Sequence, residues 1–208
     1  MKEEKKATRQ SYGETLEKLG EKYEDIVVLD ADLATATKTI NFAKKFPERF
    51  FDMGIAEANM MSTAAGIATT GKVPFASTFA VFAAGRSYDQ IRNSICYPKL
   101  NVKICSTHSG ITVGEDGATH QMLEDISMMR TLPNMKVLSP ADDIETKWAI
   151  EEAYKQKGPV YVRLSRLATP IIYDENQEFE FGKMIQFGSG TDATIFASRR
   201  RASRIIKS

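Results

Sequence analysis

Cysteine, histidine and long apolar runs are all scarce in this sequence. Its two cysteines, Cys96 and Cys105, exclude a disulfide framework and point to reduced, buried thiols, as in the cytoplasm. No apolar stretch approaches the ~18 residues of a membrane span. The first residues, Met1-Lys2-Glu3-Glu4-Lys5-Lys6, are charged with no apolar run behind them, so no signal peptide is expected. A charge excess is missing too. The net charge is +1, yet Arg199, Arg200, Arg201, Arg204 and Lys207 crowd the last ten residues, which hold no acid. The rest of the chain is therefore mildly acidic, which argues against nucleic acid as the main partner. The tail reads as a frayed, solvated end rather than an RNA or membrane anchor. What remains is an ordinary globular composition, 42% hydrophobic and 26% charged, in 208 residues. That length allows one full domain plus an extra piece.

The pattern along the chain alternates strands and helices. Thr8 is placed to cap a first helix carrying Leu16, Leu19 and Tyr23. Ile26-Val27-Val28-Leu29 is a buried strand ending in Asp30-Ala31-Asp32. A polar then helical stretch follows over 35–49. Arg49 to Met53 reads as a strand, and a small-residue helix beginning near Glu57 runs to Gly71. Val73 to Phe79 is the next strand, with Pro74 at its tolerant start. A helix is expected from about Phe82 to Ser94, then a strand over Asn101–Ser106. Further on lie a helix from Met122 to Arg130, a strand from Met135 to Leu138, a helix opened by Pro140-Ala141-Asp142, and a strand over Val160–Leu164. This alternation predicts an α/β domain, a parallel sheet with helices on both faces, over 1–172. Residues 173–198 read as a polar linker and the opening strand, Asp192–Ser198, of an incomplete second domain. The basic tail, 199–208, follows.

Three groups of residues carry chemistry. Glu57 lies among Gly54, Ala58, Ala64, Ala65 and Gly66, a setting for a tightly packed helix. It is either a helix-dipole partner or a buried working acid. His108 and His120, the only histidines, share one glycine-punctuated loop with Glu115 and Asp116. Long structured loops in compact domains are usually functional. A zinc site fits that histidine spacing poorly. Phe79 and Phe82 follow a strand, as core packing or as a wall for a flat ligand. Arg9 and Arg166 stand at element boundaries, as surface arginines or as a clamp on phosphate.

Taken together in order, Gly54-Ile55-Ala56-Glu57, Ser77-Thr78-Phe79-Ala80-Val81-Phe82, Arg86-Ser87-Tyr88-Asp89-Gln90-Ile91-Arg92, Gly114-Glu115-Asp116-Gly117-Ala118-Thr119-His120-Gln121 and Leu164-Ser165-Arg166 resemble the pyrimidine-binding domain of transketolase. The resemblance covers roughly residues 7–198. The start at Met1 resembles the C-terminal subunit of a split, two-chain transketolase. It implies thiamine diphosphate as cofactor and transfer of a two-carbon ketol unit between sugar phosphates. Glu57 matches the glutamate at pyrimidine N1′, whose proton favours the imino tautomer that draws the proton from thiazolium C2. Phe79 and Phe82 match the pyrimidine wall. A third aromatic of some relatives is replaced by Gly85, with Tyr88 as a candidate substitute. Asp32 matches an aspartate near the cofactor. His108, Asp116 and His120 match sugar-binding residues, and Arg9 and Arg166 match residues on the substrate phosphate. A serine often found four residues after Asp32 is Ala36 here, beside Thr37.

The family's Gly-Asp-Gly motif, which holds the diphosphate and Mg²⁺, is absent from this sequence. The resemblance therefore implies that an N-terminal, diphosphate-binding subunit supplies the Mg²⁺ site and completes the active site. Assembly as a homodimer or a heterotetramer is expected. The basic tail matches nothing expected of a third domain, and a shifted reading frame or an early stop would produce such an ending. Two alternatives stand beside this one: a non-catalytic truncated assembly half, and a sibling enzyme such as deoxyxylulose-phosphate synthase or a 2-oxo acid dehydrogenase beta subunit.

Overall fold

The computed structural model describes residues 4–198; the basic tail lies outside the described residues. Eight strands occur among them: β1 (Lys5–Ala7), β2 (Ile26–Asp30), β3 (Phe50–Asp52), β4 (Val73–Phe79), β5 (Lys103–Thr107), β6 (Lys136–Leu138), β7 (Val160–Arg163) and β8 (Ala168–Pro170). The helices are α1 (Thr8–Lys22), α2 (Ala34–Thr37), α3 (Ile40–Lys45), α4 (Glu57–Ala68), α5 (Tyr88–Gln90), α6 (Asp125–Thr131) and α7 (Asp143–Lys155). Six strands form one parallel sheet in the order β3-β2-β4-β5-β7-β6. β1 and β8 pair antiparallel as a separate ribbon that ties the first residues to residue 170.

Strand alternation divides the core into two layers. Ile26, Val28, Phe75, Cys105, Val160 and Val162 face one layer with Tyr12 and Leu16 of α1 and Ile150 of α7. Val27, Leu29, Ala76, Ile104 and Tyr161 face the other with Met60, Met61 and Ala64 of α4. Both faces are covered, as near-continuous apolar strands require. Chain order reverses between β2 and β4, so the loops leaving those strands diverge and open a crevice at their C-terminal ends.

Local structure departs from the sequence expectation at several points. Thr8 does not cap α1. It lies inside the helix, and its hydroxyl accepts from the Ser165 backbone N–H at 2.7 Å, because the chain end is drawn to the β7–β8 connection. The small-residue helix stops at Ala68, and Gly71, at φ +87°, sits in the turn beyond it. The helix expected over 82–94 is broken into π-helical turns at Val81–Arg86 and Ile91–Cys96 flanking α5. Wide turns of this kind recur at functional sites. The helix expected from Met122 starts at Asp125. Residues 173–198 contain no strand: 192–198 are exposed and irregular, since no neighbouring strand pairs with them. Part of this stretch still folds back. Phe179 stacks on Trp148 of α7 at 5.4 Å, and Tyr173 packs on Phe179 and Phe187. The helix expected to open at Pro140-Ala141-Asp142 begins at Asp143, with Asp142 as its cap accepting from the Glu145 N–H at 2.9 Å.

Candidate functional site

Glu57 is the first residue of α4, and its side chain is only 2% exposed. Met60, Met61 and Ala64 anchor that helix to the sheet. Gly54, at φ +67°, turns the chain from β3 into the helix, a conformation that glycine adopts without steric cost. The carboxylate is met by Arg86, whose Nη1 donates to both oxygens at 2.9 Å. The Arg86 side chain is 51% exposed. Its guanidinium lies over the Phe82 ring, 4.3 Å from the centroid. Phe82 and Arg86 come together because the π-helical turn places both on one side. Sequence reasoning quoted the Arg86 motif but assigned the residue no role. A half-exposed arginine four residues from an aromatic is an ordinary surface pattern until the acid from α4 is brought beside it.

The rings gather at the end of β4. Phe79 stacks on His108 with centroids 3.7 Å apart, and Phe82 is 6.0 Å from Phe79. His120 meets Phe82 edge-on at 5.4 Å and Phe79 at 6.3 Å. His108 follows β5 in a left-handed conformation, φ +57°, and Asp32 follows β2 likewise at φ +59°. Left-handed non-glycine residues at strand ends are the strained positions that cluster at functional sites. Burial, then Arg9, Arg166 and His120, push the His108 imidazole down from 6.5 to about 3. Its Nδ1 shares a 2.9 Å hydrogen bond with the Thr107 hydroxyl. His108 is therefore neutral at physiological pH. Its folded value lies below the unfolded one, so the unfolded chain binds more protons between these values. Stability that His108 contributes above pH 6.5 is expected to fall away as the pH drops from about 6.5 toward 3. An NMR titration finding the His108 ring protonated at pH 6 in the folded chain would contradict this.

The cations form a third cluster. Arg166 donates to the Val113 carbonyl, and its Nη2 donates to Glu115 at 2.6 Å. Gly114 has to be glycine here. Its φ is +91°, and a Cβ would sit 2.0 Å from Arg166 Nη1. Arg9 donates from Nη1 to the Ala36 carbonyl at 2.8 Å, while its buried Nε has no partner. Burial and then Arg166 lower the Arg9 pKa, opposed by Asp116. The two guanidinium groups repel each other, and Glu115 on Arg166 and Asp116 near Arg9 offset part of that repulsion. Together with Lys5, Lys6, Gln10 and Glu115 they line an open depression of about 560 Å³.

The structure thus brings Glu57, Phe79, Phe82, His108 and His120 into one connected set through Arg86. It brings Asp116 and Arg166 into electrostatic reach of Arg9, and Arg9 and Arg166 into reach of His108. Asp32 follows the C-terminal end of β2 and is exposed, its N–H donating to Asp52 at 3.1 Å. The carboxyl two residues earlier, Asp30, is fully buried. It accepts from Leu33 N–H, Thr37 and Thr39, which shapes the Asp32 loop. Burial raises its pKa to about 6. Thr37 spends its hydroxyl there. Tyr88 is not in the ring set: its hydroxyl bonds Thr131 at 3.0 Å, and no ring contact joins it to Phe79 or Phe82 among the described residues. The planar Arg86 guanidinium fills the space between the Glu57 carboxylate and the Phe82 ring, bonding the one with its edge and covering the other with its face. Among the described residues no group of three or more His, Cys, Asp or Glu is arranged to hold a metal ion, and no helix is long and apolar enough to cross a membrane.

Residues 4–171 match the family described as "Transketolase, pyrimidine binding domain". A transketolase C-terminal section from Methanocaldococcus jannaschii is 55% identical over 97% of this chain and 66% of its own length. Human transketolase is 41% identical over 86% of this chain and 29% of its own length. Among solved structures, one described as a split gene transketolase, inactive beta4 tetramer, is 56% identical with a TM-score of 0.77, covering 85% of this chain and 57% of that one. Transketolase from Campylobacter jejuni is 32% identical with a TM-score of 0.77, over 83% of this chain and 28% of its own. The chain spans two thirds or less of the length of each of these relatives.

Proposed function

Since the chain belongs to the transketolase pyrimidine-binding family, we propose that it is one subunit of a thiamine-diphosphate-dependent transketolase that moves a two-carbon ketol unit between sugar phosphates. The observation that carries this reading is the enclosed Glu57 carboxylate, linked through Arg86 to the Phe82 ring and its neighbours Phe79, His108 and His120. Phe79 and Phe82 present the wall for a pyrimidine ring, and Glu57 holds a proton at its N1′. When bound, the cofactor supplies the carbanion stabilisation that carbon–carbon cleavage beside a carbonyl needs. His108, neutral and backed by Thr107, exchanges protons with sugar hydroxyls, and His120 and Asp116 orient the sugar. Arg9 and Arg166 hold the substrate phosphate across the cationic depression, with the orphaned Arg9 Nε as a ready donor. The diphosphate, its Mg²⁺ and the rest of the site come from a complementary N-terminal subunit, in the cytoplasm.

A second reading, a non-catalytic assembly half, draws on the relative described as an inactive beta4 tetramer. One experiment separates the two. The chain is purified alone and with its N-terminal complement, and thiamine diphosphate binding is measured with xylulose 5-phosphate plus ribose 5-phosphate turnover. Turnover is expected to appear only when the complement is added, because the diphosphate and Mg²⁺ site is on that subunit. No gain would leave the assembly half; activity with pyruvate alone would move the protein to a sibling enzyme class.

A further inference from the structure

We propose that Arg86 is a built-in occupant of the pyrimidine slot, which the cofactor must displace in order to reach Glu57. This inference rests on the function proposed above. Its basis is that one side chain makes both contacts a flat aminopyrimidine would seek. Arg86 Nη1 stands 2.9 Å from each Glu57 oxygen, so both acceptors are engaged. The same guanidinium covers Phe82 at 4.3 Å. A guanidinium is planar and delocalised, with N–H donors at its edge and a face that stacks on aromatic rings. It is the side chain that best imitates a small aminated heterocycle.

The surroundings suit an exchange. Glu57 is enclosed and cannot move far, since α4 is locked to the sheet by Met60, Met61 and Ala64. Arg86 is half exposed. Next to it, Gly85 leaves its own Cβ position with nothing within 4 Å. With half of its side chain already open to water, Arg86 can swing into solvent by a change of rotamer. A buried carboxylate left without a partner is costly. The departure of the guanidinium is therefore coupled to the arrival of another hydrogen-bonding group. The chain on its own keeps its acid neutralised, and releases it to a ring that offers an equivalent edge and face.

The test compares the parent chain with Arg86→Ala and, should that variant fold poorly, Arg86→Met. Thiamine is the probe for the chain alone, since it carries the pyrimidine without the diphosphate. Binding is followed by calorimetry at fixed ionic strength. The variant is expected to bind thiamine at least about tenfold more tightly than the parent. N-ethylguanidinium, added at millimolar concentration against a sodium chloride control, should refill the vacated slot in the variant and weaken binding there, while leaving the parent unchanged. A merely structural role for Arg86 would not yield that rescue. Equal or weaker binding by a folded variant overturns the proposal. Where neither chain binds thiamine alone, the same comparison with thiamine diphosphate and Mg²⁺ in the assembled enzyme decides by the same criterion. Cofactor binding that depends on Glu57 but does not tighten in the Arg86 variant sinks this inference and spares the function. Absence of cofactor binding by every assembled form sinks both.

Discussion

Glu57→Gln in the assembled enzyme is expected to lower turnover by about 10²–10⁴-fold, the range for a positioned acid or base. The substitution keeps the volume and the helix start but removes the exchangeable carboxyl proton. Glutamine ends the ion pair with Arg86 but its Oε1 still accepts from the guanidinium, so the chain keeps its fold while losing the one group that shares a proton with the ring. Steady-state kinetics with xylulose 5-phosphate and ribose 5-phosphate should show the loss in kcat more than in KM for either sugar. This split is the signature of an interaction made at the reacting centre and not in sugar binding. A variant that keeps more than a tenth of parental turnover would remove Glu57 from the chemistry, whatever its burial.

The second large effect falls on stability. Asp125 opens α6 just beyond the histidine loop, with no exposed surface. Its Oδ2 accepts from Arg163 Nε at 2.7 Å and from the Tyr161 hydroxyl at 3.0 Å, both on β7. Arg163 also reaches the Met122 carbonyl at 3.4 Å, and that carbonyl accepts from the Gly110 N–H at 2.7 Å. Both ends of the loop that carries Asp116 and His120 are thus pinned to one buried ion pair. Asp125→Ala strands the Arg163 cation and should destabilise the fold by about 3–5 kcal/mol. In a chain of this size that corresponds to a fall in melting temperature of roughly 6–20 °C. Replacing both partners, Asp125→Leu with Arg163→Met, should restore part of the loss, because the cation is no longer stranded and only the Tyr161 hydroxyl is left without its acceptor. Failure of the double variant to recover would assign the effect to the loop and not to the stranded charge.

Much of the fold was legible because its signals are local. Ile26 to Leu29 and Val160 to Val162 are apolar on both faces, which only a doubly covered parallel strand satisfies. Gly71 and Gly158-Pro159 punctuate the helices that precede them. The two histidines could be singled out because the chain has no others and both lie in one glycine-marked loop. Other features were not readable. Thr8 looked like a cap because capping residues are recognised by type, whereas its hydroxyl is committed to Ser165, 157 residues away. Tyr88 looked like a substitute ring, but the wide turn before it directs its hydroxyl to Thr131. The opening strand expected at 192–198 has the composition of a strand and nothing to pair with, and a strand's hydrogen bonds are made by its neighbours.

By itself, the order of residues determined which segments become strands and helices and which side chains have chemistry to offer, since periodicity and side-chain type are properties of the chain alone. Only the tertiary structure decided that Glu57 shares its carboxylate with Arg86, that His108 is held neutral by burial and by two arginines, and that Asp125 fastens the loop through Arg163. Each of these depends on which strands lie side by side. That arrangement follows from burying both faces of one sheet at once, a condition met by the whole chain and by no segment of it.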